Sequence, residues 1–172
     1  MNEIAEKLEA VFTDIAQTRM AGMPICNEAL RVQVVGLREW QGRWVGVLVT
    51  PWTISMVLMP GPDAPLDMLG MEEKKAWDFP SGKYEFFGLN EPALGSCQVC
   101  SLISPVIDFE NQEDAVTVAR QVMEALFVPA QVDPKADADH KEMLKNAQPM
   151  VEPGLKKQLS RRDFLRGAFV EK

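Results

Sequence analysis

The sequence predicts an α+β fold of two layers, an antiparallel sheet of about five strands with an N-terminal and a C-terminal helix packed on it. Three observations carry that expectation. Apolar residues recur at three- and four-residue steps at both ends of residues 1–130, the spacing of one helical face. Between those ends lie runs rich in Val, Ile, Leu and aromatic residues, which suit a pleated, half-buried surface. The runs are joined by short Gly- and Pro-containing stretches. Strands gathered in the middle and helices at the ends point to an antiparallel sheet covered by helices on one side.

The elements follow in order. From Asn2 to Met20, Ile4, Leu8, Val11, Phe12 and Ile15 line one helical face, and Glu3, Glu6 and Glu9 fall near the start, where the helix dipole favours negative charge. After Gly22 to Pro24 the pattern changes to three strand-like runs, Leu30 to Arg38, Trp44 to Thr50 and Trp52 to Met59. Glu39-Trp40-Gln41-Gly42 suits a hairpin loop with Gly at a left-handed position. Pro51 lacks an amide donor and marks a bend between the second and third runs, and Pro60-Gly61-Pro62 stops the third. Leu66 to Trp77, with Met68, Leu69 and Met71, reads as a short helix or an irregular link, kept short by Pro65, Gly70 and Pro80. Tyr84 and Phe86 alternate with Lys83 and Glu85 in a fourth strand ending near Leu89, and Asn90-Glu91-Pro92 turns the chain. A fifth run, Leu94 to Ser104, ends at Pro105. Asn111 then caps a helix with Ala115, Val118, Ala119, Val122 and Leu126 on one stripe, ended before Pro129. The predicted order is α-β-β-β-(short α)-β-β-α.

Residues 1–130 therefore read as the folded domain. Residues 131–159 turn polar, with Asp133, Asp137, Asp139, Lys141 and Lys145 among Pro134, Pro149 and Pro153, too few large apolar side chains to offset chain entropy. They read as a flexible linker to a tail, residues 160–172. Residues 155–172 carry net +4, leaving −11 on residues 1–154 out of a total of −7. An acidic body with a basic tail repels nucleic acid, whose binding rests on neutralising phosphates, and attracts basic peptides at long range. No segment approaches the roughly 18 uninterrupted apolar residues of a membrane span, and MNEIAEKLEA is acidic where a leader is basic. The expected place is the cytoplasm, without stable membrane insertion. Three cysteines give no disulfide framework and fit a reducing compartment.

Enzyme readings fail on their chemistry. The sequence holds no GxSxG elbow, no HExxH and no glycine-rich phosphate loop, and its one histidine, His140, falls in the expected linker. No cofactor and no metal ligand set is expected. The sharpest chemical candidate is Cys97-Gln98-Val99-Cys100. A continuous strand sends residues three apart to opposite faces, so the two thiols cannot share a metal there. The alternative, a small thiol-redox or metal-binding accessory protein using Cys97 and Cys100, needs the pair to lie in a turn or bulge. Ten methionines, with Met56, Met59, Met68 and Met71 close together, serve either as core filling or as an adaptable peptide-binding surface.

Gly42-Arg43-Trp44-Val45-Gly46-Val47-Leu48-Val49-Thr50-Pro51-Trp52, running on to Leu58-Met59-Pro60-Gly61-Pro62 and later to Cys100-Ser101-Leu102-Ile103-Ser104-Pro105, resembles the NiFe-hydrogenase assembly chaperones of the HybE family over about residues 5–130. The resemblance implies a cytoplasmic, non-catalytic chaperone for precursor subunits, small or large, of an exported NiFe hydrogenase, holding back twin-arginine export until the metal centres are complete. Relatives with a rubredoxin-like segment carry paired CxxC motifs; this chain has one, so iron is not carried over. The element order also resembles the type III secretion chaperones. Expected partner-binding residues are Trp44, Thr50, Pro51, Trp52, Met56, Met59 and Cys100, with Trp and Met as anchors, the alternative for Trp44 and Trp52 being the core. A homodimer, or self-association through the tail, is a further possibility.

Ser160-Arg161-Arg162-Asp163-Phe164-Leu165-Arg166 itself resembles a twin-arginine motif. Only six residues follow Arg166, fewer than the apolar stretch of roughly 7 to 15 residues that a signal needs. Arg161, Arg162, Phe164 and Leu165 read instead as part of a capped docking helix, as a chance motif, or as an imitation of a client's leader.

Overall fold

The computed structural model describes residues 2–70 and 72–130. Contacts divide the chain into the units Met1–Val128 and Pro129–Lys172, and every element named below lies in the first. The expected linker with His140, and the tail with Arg161, Arg162, Phe164 and Leu165, lie outside the described residues. So does Met71.

The elements are α1 (Asn2–Gln17), β1 (Gln33–Trp40), β2 (Arg43–Val49), β3 (Ile54–Met59), β4 (Lys74–Phe79), β5 (Gly82–Glu91), β6 (Gly95–Ile103) and α2 (Gln112–Leu126). The six strands form one sheet in the order β1-β2-β3-β6-β5-β4, and every neighbouring pair is antiparallel. The α+β class and its antiparallel sheet are as expected, with a sixth strand. No helix among the described residues is long and apolar enough to cross a membrane.

The additional strand replaces the short helix expected over residues 66–77. From Lys74 the chain alternates exposed Lys74, Ala76 and Asp78 with more buried Lys75, Trp77 and Phe79, a period of two rather than 3.6. Pro80 and Ser81 fold it straight back, so Phe79 pairs with Gly82. Met68 and Leu69 had suggested the helical face. Met68 is exposed, and Leu69 lies on Gly88 so closely that a Cβ there would stand 2.3 Å from the Leu69 carbonyl oxygen. The link from β3 to β4 thus lies against one face of the sheet, with turns at Gly61 to Ala64 and at Gly70 to Glu73. It is held there by Gln98, fully buried, whose side chain accepts from Trp77 Nε1 at 2.8 Å and donates to the Asp67 carbonyl at 3.1 Å.

Local turn chemistry agrees with the sequence. Gln41 and Gly42 close the β1–β2 hairpin with φ of 50° and 73°, the pair of left-handed residues that a tight two-residue hairpin requires. Asn111 caps α2, its side chain accepting from the Asp114 N–H at 2.9 Å, which satisfies one of the orphan donors of the first turn. β3 shows no alternation because every one of its residues is buried, as befits an inner strand covered on both faces.

Register shows which face each residue takes. Trp44, Leu48, Val57 and Met59 share one face with Val99 and Cys97, and α1 packs on it through Leu8, Phe12 and Ile15. Val35, Val45 and Val47 belong to the other face, where α2 lies: Met123 fills the space beside Gly36, and Phe127 stacks under Arg38 at 4.0 Å. The two helices therefore divide between the faces of the sheet, where the sequence pattern had put both on one side. Hydrophobic periodicity states that a helix is amphipathic and leaves open which side of the sheet receives it.

Candidate docking surface at the Pro51–Trp52 bend

The bend between β2 and β3 is held from within by Thr50. Its Oγ1 donates to the Thr53 carbonyl at 2.9 Å and accepts from the Thr53 N–H at 3.0 Å, while the Thr50 N–H donates to the same carbonyl at 2.9 Å. Pro51, with no amide to satisfy, sits at the apex. Thr53 ties the bend to β6, its hydroxyl donating to the Ile103 carbonyl at 3.0 Å. Ser104, whose peptide bond to Pro105 is cis, lies against the Trp52 carbonyl at 3.5 Å. The Thr-Pro-Trp and Cys-Ser-Leu-Ile-Ser-Pro stretches, about 50 residues apart in the chain, thus meet at one end of the sheet.

Asn27 joins a third segment to them. Its N–H donates to the Pro51 carbonyl at 2.7 Å, its Nδ2 donates to the Val106 and Phe109 carbonyls at 2.9 and 2.8 Å, and its Oδ1 accepts from the Ala29 N–H at 2.9 Å. One side chain so fixes residues 20–30 against residues 104–110. Sequence reasoning missed it, because an Asn in an irregular segment is indistinguishable from any turn residue until its partners, some 80 positions away, are known. Val106, buried, anchors the later loop and leaves its neighbour outside.

The surface so formed exposes Ile107 (59%), Met23 (45%) and Ile25 (44%). Beside them residues 20–30 and 104–114 carry Glu28, Asp108, Glu110, Glu113 and Asp114, against the exposed Arg31, whose N–H donates to Gln112 Oε1 at 2.9 Å. All five carboxylates belong to exposed residues. Apolar side chains with an acidic border fit a partner segment that is apolar and basic.

The expected partner-binding residues are not brought together. Pro51 and Trp52 are half-buried at this end, Trp52 packing on the α1 core while keeping a free edge. Trp44 and Met59 pair at the opposite end of β2 and β3, roughly 20 Å away at the rise of a strand. Trp44 is half-buried against the α1 core. Thr50 and Met56 are 0% exposed and Met59 is buried, so these three offer a partner no surface; they hold the bend and the sheet interior. Met56 pairs with Cys100, which is half-buried.

Cys97 and Cys100 lie on one unbroken strand whose pairing runs without a shift from Ser101 to Gln98 on one side and through Cys97 on the other. They therefore face opposite sides, Cys97 toward α1 and Cys100 with Met56. Among the described residues no three His, Cys, Asp or Glu side chains converge as a metal site. Cys97 is 1% exposed, and burial pushes its thiol up to about 12 from a usual value near 9. The unfolded chain ionises this thiol first as pH rises, so the contribution of this group to stability is whole below pH 9 and is lost as pH climbs toward about 12. Urea unfolding across that range should show a downward slope that Cys97→Ala flattens. A slope of the same size in both proteins would assign it to other groups.

The family model described as NiFe-hydrogenase assembly, chaperone, HybE matches residues 3–167. The hydrogenase expression/formation protein HupJ of Bradyrhizobium diazoefficiens is 30% identical over 165 residues, 96% of this chain and 88% of that protein. The probable rubredoxin HupJ of Rhodobacter capsulatus is 38% identical over 120 residues, 70% of this chain, and the match spans 43% of that protein's length. The solution structure of HybE from Escherichia coli shares the fold, with a TM-score of 0.60 at 21% identity over 93% of both chains. With the sequence match running through nearly its whole length and the same fold in that solved structure, this chain belongs to the NiFe-hydrogenase assembly chaperone family HybE.

Proposed function

We propose that this protein is a cytoplasmic, non-catalytic chaperone that binds a NiFe-hydrogenase precursor subunit by an apolar, basic segment and delays its twin-arginine export until the metal centres are in place. The observation that carries this reading is the surface latched by Asn27, where Met23, Ile25 and Ile107 stand exposed beside five carboxylates, with the exposed Arg31 at its border. A twin-arginine leader has the matching chemistry, paired guanidinium groups followed by apolar residues. Carboxylates around the contact raise the rate of encounter with such a segment and select against acidic ones. The thiol-redox alternative needs Cys97 and Cys100 within bonding reach, and their opposite faces oppose it.

Ile25→Asp together with Ile107→Asp tests the reading by calorimetric titration of the chaperone with the precursor small subunit, and separately with the large. Both side chains are exposed, so the melting temperature should stay within a few degrees, while affinity should fall about a hundredfold, as for the loss of two central apolar anchors. Unchanged affinity for both subunits would place the client elsewhere. Raising salt should weaken the wild-type complex, chiefly through its association rate.

A further inference from the structure

The sheet ends in β1 on one side and β4 on the other, and the two edges differ. β1 breaks register between Val35 and Arg38, and its Val34 N–H donates to the Glu9 carboxylate at 2.8 Å. A kinked and partly occupied edge resists strand addition. β4 is regular, its pairing with β5 unbroken from Lys74 to Phe79. Its two-residue loop makes Phe79 and Gly82 the hydrogen-bonded closing pair, and such pairs alternate along an antiparallel ladder. Lys75, Trp77 and Phe79 therefore turn their backbone groups to β5, and Lys74, Ala76 and Asp78 turn theirs outward. These three are also the exposed residues of the strand. Trp40 of β1 does stack on Phe79, with centroids 4.0 Å apart, but on the face away from Lys74, Ala76 and Asp78.

We propose that β4 is a self-association edge: a second copy of this chain pairs with it, β4 against β4, antiparallel about a two-fold axis at Ala76, so that the two sheets become one. This goes beyond the chaperone reading and does not depend on it. The strand's own sequence selects the occupant. Pairing about Ala76 sets Lys74 opposite Asp78 of the second copy, and by symmetry Asp78 opposite Lys74 of the second copy. Opposite charges directly across a ladder favour pairing. Lys83 already stands 3.4 Å from Asp78, so charge alternates across three strands, Lys83, Asp78 and then Lys74 of the second copy.

Neighbouring registers lose these matches. An axis at Lys75 sets two lysines directly across from one another, and an axis at Trp77 leaves both ion pairs unmade. Any extended peptide satisfies the backbone of a free edge. A strand with a cation and a carboxylate four positions apart in this order answers both side chains, and β4 is such a strand. Lysines commonly guard edges against pairing; here Lys74 favours the register that sets it opposite Asp78 of the second copy.

Sedimentation equilibrium of the full chain, from micromolar to sub-millimolar concentration, tests the proposal with three variants. The wild type should dimerise reversibly. Ala76→Pro should leave a folded monomer, because it removes an outward N–H and none bonded to β5; circular dichroism reports whether the fold survives. Asp78→Lys and Lys74→Asp should each weaken the dimer about tenfold, from two like-charged pairs per interface. An equimolar mixture of those two variants should form a heterodimer of near wild-type affinity, since each then meets the opposite charge. That rescue decides the matter even if Ala76→Pro fails to fold. A wild type monomeric throughout, or a dimer indifferent to both charge changes, overturns the proposal.

Discussion

Gly61→Ala should destabilise the protein by about 4 kcal/mol or more, the range reached when a core is forced apart by a group that cannot be accommodated. A Cβ at Gly61 would stand 1.7 Å from the Gly42 carbonyl oxygen and 2.7 Å from the carbon that bears it. That carbonyl belongs to the tight β1–β2 loop, whose left-handed Gln41 and Gly42 leave the backbone little room to rotate aside. On its own side Gly61 is tied by its N–H to the Ala64 carbonyl at 3.1 Å. One loop has to move by more than an ångström, and with it either the start of β2 or the exit from β3. The melting temperature should fall by roughly 15 °C or more. Unfolding within 1 kcal/mol of wild type would mean that the two loops do not touch. The Gly of the Pro-Gly-Pro stop is thus required by backbone contact, quite apart from ending a strand.

Asn27→Ala should cost about 2 to 4 kcal/mol, from two carbonyls left without their donor and an Asx turn undone. Asn27→Asp is the sharper variant. It keeps the oxygen that accepts from Ala29 but turns a second oxygen toward the Val106 and Phe109 carbonyls, where Nδ2 had donated. Replacing a donor by an acceptor should cost at least as much as removing the side chain. Amide hydrogen exchange should accelerate over residues 20–30 and 104–110 and remain slow in β3. Because Met23, Ile25 and Ile107 stand on these loops, precursor affinity should fall with the local stability, whereas in Gly61→Ala the remaining folded fraction should bind normally. A fully stable Asn27→Asp protein would show that the latch is not what holds the surface.

Local rules found most elements because their causes are local. The stripe of α1, the Asn111 cap, the Gln41-Gly42 hairpin and the Pro51 bend each rest on residues within one turn or strand of one another. β4 was hidden since Pro65, Met68, Leu69 and Gly70 dominate its approach, and the alternation from Lys74 to Phe79 is short. The candidate residues are scattered for a related reason. Thr50 and Met56 stand out by type and motif, but exposure depends on what covers them, and both prove to be interior. Ile25 and Ile107 drew no notice as ordinary loop residues, yet the chain leaves them outside.

By itself the sequence determined the α+β class, the capped and turned elements, the acidic balance of residues 1–154, and a family signature specific enough to name. The tertiary structure alone decided that α1 and α2 take opposite faces, that the strand carrying Cys97 and Cys100 is continuous, so that the parity read from their spacing applies, and that three distant segments meet at Asn27. The division has one physical cause. Backbone propensity, capping and periodicity are set by neighbours within a few residues. Burial, face and convergence are set by contacts between residues tens of positions apart, which only the folded chain brings within reach.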